Sequence, residues 1–235
     1  MTLLRRKVYF YPSHALHCCR HVLELGGGMT GLLGLGLAVA ASSSSSSSSS
    51  FCRSITITDG HPSCVANQRV CLELCRQKNM IAREVKVNCE ILRWSSQEDM
   101  AAILSGPLLS SEAGHEGFDV IVAADCLFFR DFHTSLLSLL DSMLSFKEDA
   151  VVYLLQPRRA GSMEAFLSLL TPSSSPEQAF FGRFEADVSD AYDEGISAMH
   201  RQYMDEMSNS GSGDQSHNYE PDIHFPILIT LRRRK

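Results

Sequence analysis

The feature that most constrains this chain is a short apolar run that ends in three consecutive glycines, VLELGGGMTG at residues 22–31. A nearly continuous apolar run bounded by turn residues suits a strand covered on both faces. Glycine has no Cβ, so Gly26, Gly27 and Gly28 let the main chain approach a ligand closely. The stretch that follows, GLLGLGLAVAA at residues 31–41, reads as a buried helix whose first N–H groups stay free for that ligand. At eleven residues it is too short to span a bilayer, which takes about 20.

Gly26, Gly28 and Gly31 also satisfy the pattern G-x-G-x-x-G, so a nicotinamide dinucleotide is one candidate occupant. Its acidic partner is expected about 20 residues on. Asp59 lies 28 residues past Gly31, or 19 once a tract of nine serines is set aside. Position therefore leaves both a dinucleotide and another adenosyl cofactor open. Glu24 tips the balance. A carboxylate two residues before the first glycine repels a pyrophosphate but suits a cationic ammonium group. Asp59, at the end of a second strand, can accept from both ribose hydroxyls, because an ionised carboxylate only accepts.

Five segments read as strands of a largely parallel sheet: His21–Leu25, Ile55–Thr58, Val85–Leu92, Phe118–Ala124 and Val151–Leu155. The second and third alternate apolar and polar, which places them nearer an edge. Helices are expected over Thr30–Ala41, Pro62–Asn79 and Asp131–Phe146, the last with Leu136, Leu137, Leu140, Met143 and Leu144 at helical spacing. This alternation is that of a doubly wound α/β domain. Further strands are expected in Phe180–Val188 and Pro226–Leu231. Residues 42–50 read as a poly-Ser insertion, 95–117 as a loose acidic connection and 207–220 as a flexible Gly/Ser-rich loop.

The formal charge of −6 argues against a nucleic-acid partner, since neutralising phosphates needs a basic surface. Eight cysteines without a Cys-x-x-Cys pair read as buried hydrophobes in a reducing compartment, not as a disulfide frame or a metal site. No membrane association is expected, and the compartment read from these features is the cytoplasm, with the nucleus also open.

Several segments carry a specific resemblance. ELGGGMTG at residues 24–31, TDGHPS at 58–63, ILRW at 91–94, FDVIVAADCLFF at 118–129 and PRR at 157–159 occur in order. Tyr192-Asp193-Glu194 and IHFPILITL at 223–231 complete the series. Together they resemble the calmodulin-lysine N-methyltransferase family, within the seven-strand, class I S-adenosylmethionine-dependent protein-lysine methyltransferases. The resemblance implies a Rossmann-like seven-strand sheet, mostly parallel with an antiparallel C-terminal strand. It implies S-adenosyl-L-methionine as cofactor, held by Glu24, Gly26, Gly27, Gly28 and Asp59, with Trp94 on the adenine side and Ala124 lining the pocket. Asp125 and Phe128 become the candidate catalytic positions beside a lysine channel. The implied partner is calmodulin or another acidic protein, and a monomer is expected.

The pattern departs from the family twice. Tyr11-Pro12-Ser13 stands where relatives carry a longer entry segment, and only His14–Arg20 separates it from the first strand. Residues 1–20 are thus expected to form a shortened entry and 21–235 the methyltransferase domain. The serine tract is the other departure. A shortened entry leaves a non-catalytic adenosyl-binding or partner-binding relative as the alternative reading, ahead of a nicotinamide-dependent oxidoreductase.

Methyl transfer to an amine needs the neutral nucleophile. For a lysine of ordinary pKa near 10.4, neutrality at pH 7 costs about 4.6 kcal/mol. An apolar slot lowers that pKa by disfavouring the ammonium. Phe128 and Phe129 are the candidate slot walls, and no dedicated general base is assigned. Arg158 and Arg159 are expected at the same sheet edge, facing carboxylates of the acidic partner.

Overall fold

The structure is a computed structural model that describes residues 21–43, 52, 54–109, 117–171, 182–209 and 219–234. The expected entry segment at 1–20 and most of the serine tract lie outside the described residues.

Seven strands form one sheet in the order β3-β2-β1-β4-β5-β7-β6. They are β1 (His21–Leu25), β2 (Ser54–Asp59), β3 (Lys86–Ile91), β4 (Val120–Ala124), β5 (Val151–Gln156), β6 (Phe184–Ser189) and β7 (Ile227–Arg233). The first five run parallel, and β7 is antiparallel to both β5 and β6. This is the architecture expected from the sequence.

Helices cover both faces: α1 (Leu32–Ser43), α2 (Pro62–Gln77), α3 (Gln97–Leu104), α4 (His133–Met143), α5 (Ser162–Ser168), α6 (Glu194–Asn209) and α7 (Pro221–His224). Successive side chains of a strand point to opposite faces, and β1 uses both. Leu23 and Leu25 pack with Leu136, Leu140 and Phe166 on one side. Val22 packs with Leu35, Ala38, Val65 and Leu72 on the other. Truncating a residue such as Leu140, fully buried in the first layer, would cost about 2–5 kcal/mol.

Several expected boundaries move for identifiable reasons. The helix read over Asp131–Phe146 begins as a 3-10 turn, Arg130–Phe132, and continues as α4. The connection read as loose contains α3, capped by Ser96, whose hydroxyl accepts from the Asp99 N–H at 3.1 Å. Ser42 and Ser43 belong to the last turn of α1 and not to an insertion. The Ser42 hydroxyl accepts from Ala82 N at 2.7 Å. Residues 207–209 end α6, while 210–218 lie outside the described residues. The alternating β2 is buried from Ser54 to Thr58. Its polar side chains are partnered inside, as where the Thr58 hydroxyl donates to Glu24 O at 2.7 Å. No described helix is long and apolar enough to cross a membrane.

Candidate active site

The carboxyl ends of β1, β2, β4 and β5 share one sheet edge, and the glycine turn sits at its centre. Gly26 and Gly28 both take a left-handed φ of 61°. At Gly26 a Cβ would lie 2.8 Å from the Cys126 sulfur, whereas a Cβ on Gly28 would meet only open space. The turn is pinned by its neighbours. Gly27 N donates to Thr58 O at 2.8 Å, Gly28 N to Asp59 Oδ2 at 3.0 Å, and Gln68 Nε2 to Gly28 O at 2.7 Å. Gln68 is fully buried on α2, between the core positions Val65 and Leu72. A polar residue on that otherwise apolar stripe was the signal for its role.

Asp59 does two things. One oxygen holds Gly28 and the other accepts from His61 N at 2.8 Å. A carboxylate offers about four acceptor sites, so half its capacity stays available to a ligand hydroxyl.

Glu24 is buried, 4% exposed, and its Oε2 accepts from Gly34 N at 2.9 Å in the first turn of α1. Burial pushes its carboxyl up to about 7, opposed by hydrogen bonds from the Gly34 and Leu33 main chain. Its carboxyl oxygen thus satisfies one of the free N–H groups in the first turn of α1. It also faces a cavity of about 600 Å³ shared with Gly26, Leu33, Leu37 and Ala124.

A second cavity, about 570 Å³, opens on the other side of the glycine turn. Gly26, Gly28, Asp59, Trp94, Asp125 and Phe128 all line it. Ala124, the last residue of β4, lines the first cavity instead. The structure thus brings six of the nine candidate residues to one cavity and sets Glu24 and Ala124 in the neighbouring one, together with Gly27. One wall of the second cavity is a row of rings. Phe128 and Phe129 have centroids 4.0 Å apart, Phe129 and Phe132 lie edge to face at 6.0 Å, and Phe132 and Trp94 at 6.4 Å. All three phenylalanines are about half exposed.

At the mouth, Asp125 sits in a left-handed conformation, φ 53°, and is held by both guanidinium N–H groups of Arg159, its Oδ1 at 3.1 Å. Arg158 pairs with Glu164. Each of these arginines thus pairs with a carboxylate of this chain, while Arg158 keeps 55% of its side chain exposed. The turn after Asp125 is braced from below. Leu127 N donates to Gln156 Oε1 at 3.0 Å, and Leu127 O lies 2.8 Å from His133 Nε2 and also accepts from the Ser162 hydroxyl. Cys126 is buried beside it, its thiol pushed up to about 12 by burial and then by Asp125, so it is no nucleophile. The described cysteines are free, and no metal-binding cluster occurs among the described residues.

Residues 6–173 match the family model described as lysine methyltransferase. The chain belongs to the lysine methyltransferase family. It is 30% identical over 213 residues to a calmodulin-lysine N-methyltransferase of Arabidopsis thaliana, covering 90% of this chain and 57% of that protein. The chain thus spans a little over half the length of that relative. Among solved structures, a S-adenosylmethionine-dependent methyltransferase of Methanosarcina mazei superposes with a TM-score of 0.51 at 14% identity, covering 95% of this chain and 97% of that one. A second, from Mesorhizobium loti, gives 0.48 at 9% identity over 94% and 93%. The first of these shares the fold.

Membership of the lysine methyltransferase family and this fold imply S-adenosylmethionine as the methyl donor. The residues present fit such a group. The glycine turn leaves open space where side chains would intrude, Asp59 retains acceptor capacity, and Trp94 supplies a ring face beside them.

Proposed function

We propose that this chain transfers a methyl group from S-adenosylmethionine to a lysine side chain of a protein, with calmodulin or a comparably acidic protein as substrate. The observation that carries the proposal is the single cavity lined by Gly26, Gly28, Asp59, Trp94, Asp125 and Phe128. Family membership supports the lysine target, and the Arabidopsis relative supports calmodulin.

On this reading Gly26, Gly27, Gly28 and Asp59 hold the cofactor, Asp59 through the ribose hydroxyls. Glu24 contributes by fixing α1 against the glycine turn. Ala124 contributes by keeping the neighbouring wall small. Trp94 packs against the adenine side, and Phe128 with Phe129 walls the approach of the lysine. Asp125 marks the mouth of that approach. When bound, S-adenosylmethionine supplies a methyl group on a positively charged sulfur, which an unprotonated amine takes up while the C–S electron pair returns to sulfur. The chain's own residues exclude water, orient the amine and disfavour its charged form. Alignment of this kind is worth about 7–11 kcal/mol where geometry is good. Ring faces of Phe128 and Phe129 also attract cationic methylated products.

The test is transfer of labelled methyl groups from S-adenosylmethionine to calmodulin by the full chain. Incorporation that disappears when the modified lysine is replaced by arginine is the expected result. No incorporation into calmodulin, or into any acidic protein of a tested panel, would remove the substrate assignment.

A further inference from the structure

A carboxylate at the mouth of a lysine channel presents a chemical difficulty. An opposite charge within about 4–6 Å favours the charged form of an amine, by 1–3 pKa units. Unpaired, Asp125 would therefore hold the incoming lysine as an ammonium, which has no lone pair to donate. The structure gives Asp125 a partner. Both oxygens accept from Arg159, Oδ1 at 3.1 Å from Nε and Oδ2 from a terminal nitrogen.

The backbone around this pair is built to keep it. Arg159, Ala160 and Gly161 take three successive positive φ angles of 51°, 50° and 78°. Single left-handed residues are ordinary, but two non-glycine ones in a row require support from outside. That support comes from α7. Asp222 O accepts from Arg159 N at 2.9 Å, and its carboxylate Oδ2 accepts from Ala160 N at 2.6 Å. Arg130 donates to Ala160 O at 2.6 Å from the 3-10 turn that follows Asp125. Two segments far apart in sequence, the 3-10 turn and α7, thus converge on one bend, and the bend turns the Arg159 guanidinium back onto Asp125.

We infer that Arg159 is a positioning residue that cancels the charge of Asp125, so that the lysine entering beside Phe128 loses its proton to solvent more readily. The inference rests on the lysine-methyltransferase reading of the site. The other charged groups near Asp125 are few. Arg130 is turned to the main chain of Ala160, Asp222 lies behind Arg159, Arg158 is paired with Glu164, Arg93 across the cavity is paired with Asp99, and Asp59 and Glu24 act across Cys126. None of these replaces Arg159 in direct contact with the carboxylate.

The experiment follows the rate of methyl transfer to calmodulin between pH 6.5 and 9.5 for the parent, Arg159→Met, Arg159→Lys and the double variant Asp125→Asn/Arg159→Met. For Arg159→Met the alkaline inflection moves up by about one unit, the low end for a single neighbouring charge. That gives roughly a tenfold loss at pH 7, with recovery to within about twofold at pH 9.5. Arg159→Lys stays near the parent. In the double variant the inflection returns to the parental pH whatever its amplitude, because the charge that Arg159 cancelled is gone. Equal loss at every pH, or a double variant still shifted, would overturn the inference and leave Arg159 a merely structural residue.

Should the parent methylate neither calmodulin nor any acidic protein of the panel, the proposed function fails on its own, and a second measurement decides the charge argument. n-Butylammonium binding at pH 7, read by fluorescence of Trp94 in the shared cavity, should be at least about fivefold tighter in Arg159→Met than in the parent. Equal affinity would overturn the inference.

Discussion

The two walls of the 570 Å³ cavity are made in different ways. One is backbone: Gly26 and Gly28 in left-handed conformations, fixed to the end of β2 by Thr58 and Asp59. The other is side chain: Phe128, Phe129 and Phe132, half exposed and touching chiefly one another and Trp94. The first wall has little freedom to change, because a Cβ added there meets packed atoms or forbids the angle. The second can change one ring at a time. The difference suggests a division of labour in which the backbone wall binds the common donor and the aromatic wall selects the acceptor.

The largest expected effect tests the rigidity of the backbone wall. Gly26 has φ 61°, and a Cβ there would approach the Cys126 sulfur to 2.8 Å. Gly26→Val adds a left-handed penalty of ~1–2 kcal/mol and overpacking of ~1–3 kcal/mol. Denaturant titration should show a loss of about 3 kcal/mol or more; a loss under about 1 kcal/mol would mean that this wall yields after all.

Next comes Glu24, whose carboxyl is raised to about 7 by burial. The native state then binds more protons than the unfolded state between about pH 4.5 and 7. Its contribution is greatest below the ordinary carboxyl pKa and is lost as pH rises through 7, by about 3 kcal/mol in all. Glu24→Gln keeps an acceptor for Gly34 N and should flatten that decline. Melting curves from pH 4 to 8 provide the comparison, and an unchanged slope would contradict the assignment.

The smallest effect on stability is expected at the aromatic wall. Phe129→Ala removes a ring that is 55% exposed, so folding free energy should change by less than about 1 kcal/mol. Methyl transfer to the protein substrate should nevertheless fall about tenfold in kcat/KM, with cofactor affinity unchanged. A parallel loss of cofactor affinity would erase the proposed division between the walls.

How much of this was legible in the sequence follows the same division. The glycine turn and Asp59 stand out because their conformations and partners are local or one strand away, so composition and spacing reveal them. The seven-strand sheet, mostly parallel with an antiparallel C-terminal strand, was accessible through the family resemblance and through β1, β4 and β5, whose apolar runs are nearly continuous. The 16-residue α6 was missed, although its sequence EGISAMHRQYMDEMSN sets Ile196, Met199, Tyr203 and Met207 at helical spacing. The braces of the other wall were hidden by their distance along the chain. Gln156 reaches Leu127 across 29 residues, and Asp222 reaches Ala160 across 62. Neither belongs to a recognisable motif, and only the folded sheet edge brings them together. The pairing of Arg158 with Glu164 and of Arg159 with Asp125 was hidden on the same ground, since the bend after β5 brings these groups together.

The central claim is that the cavity between the glycine turn and Asp125 binds an adenosyl-methionine cofactor and not a dinucleotide. Calorimetric titration tests it most directly, with S-adenosylhomocysteine and NAD each added to the parent and to Asp59→Ala. The account predicts saturable binding of S-adenosylhomocysteine, weakened by at least ~1.5 kcal/mol in Asp59→Ala as for a hydrogen bond to a charged group, and no binding of NAD. Saturable NAD binding, or S-adenosylhomocysteine affinity indifferent to Asp59, would contradict it.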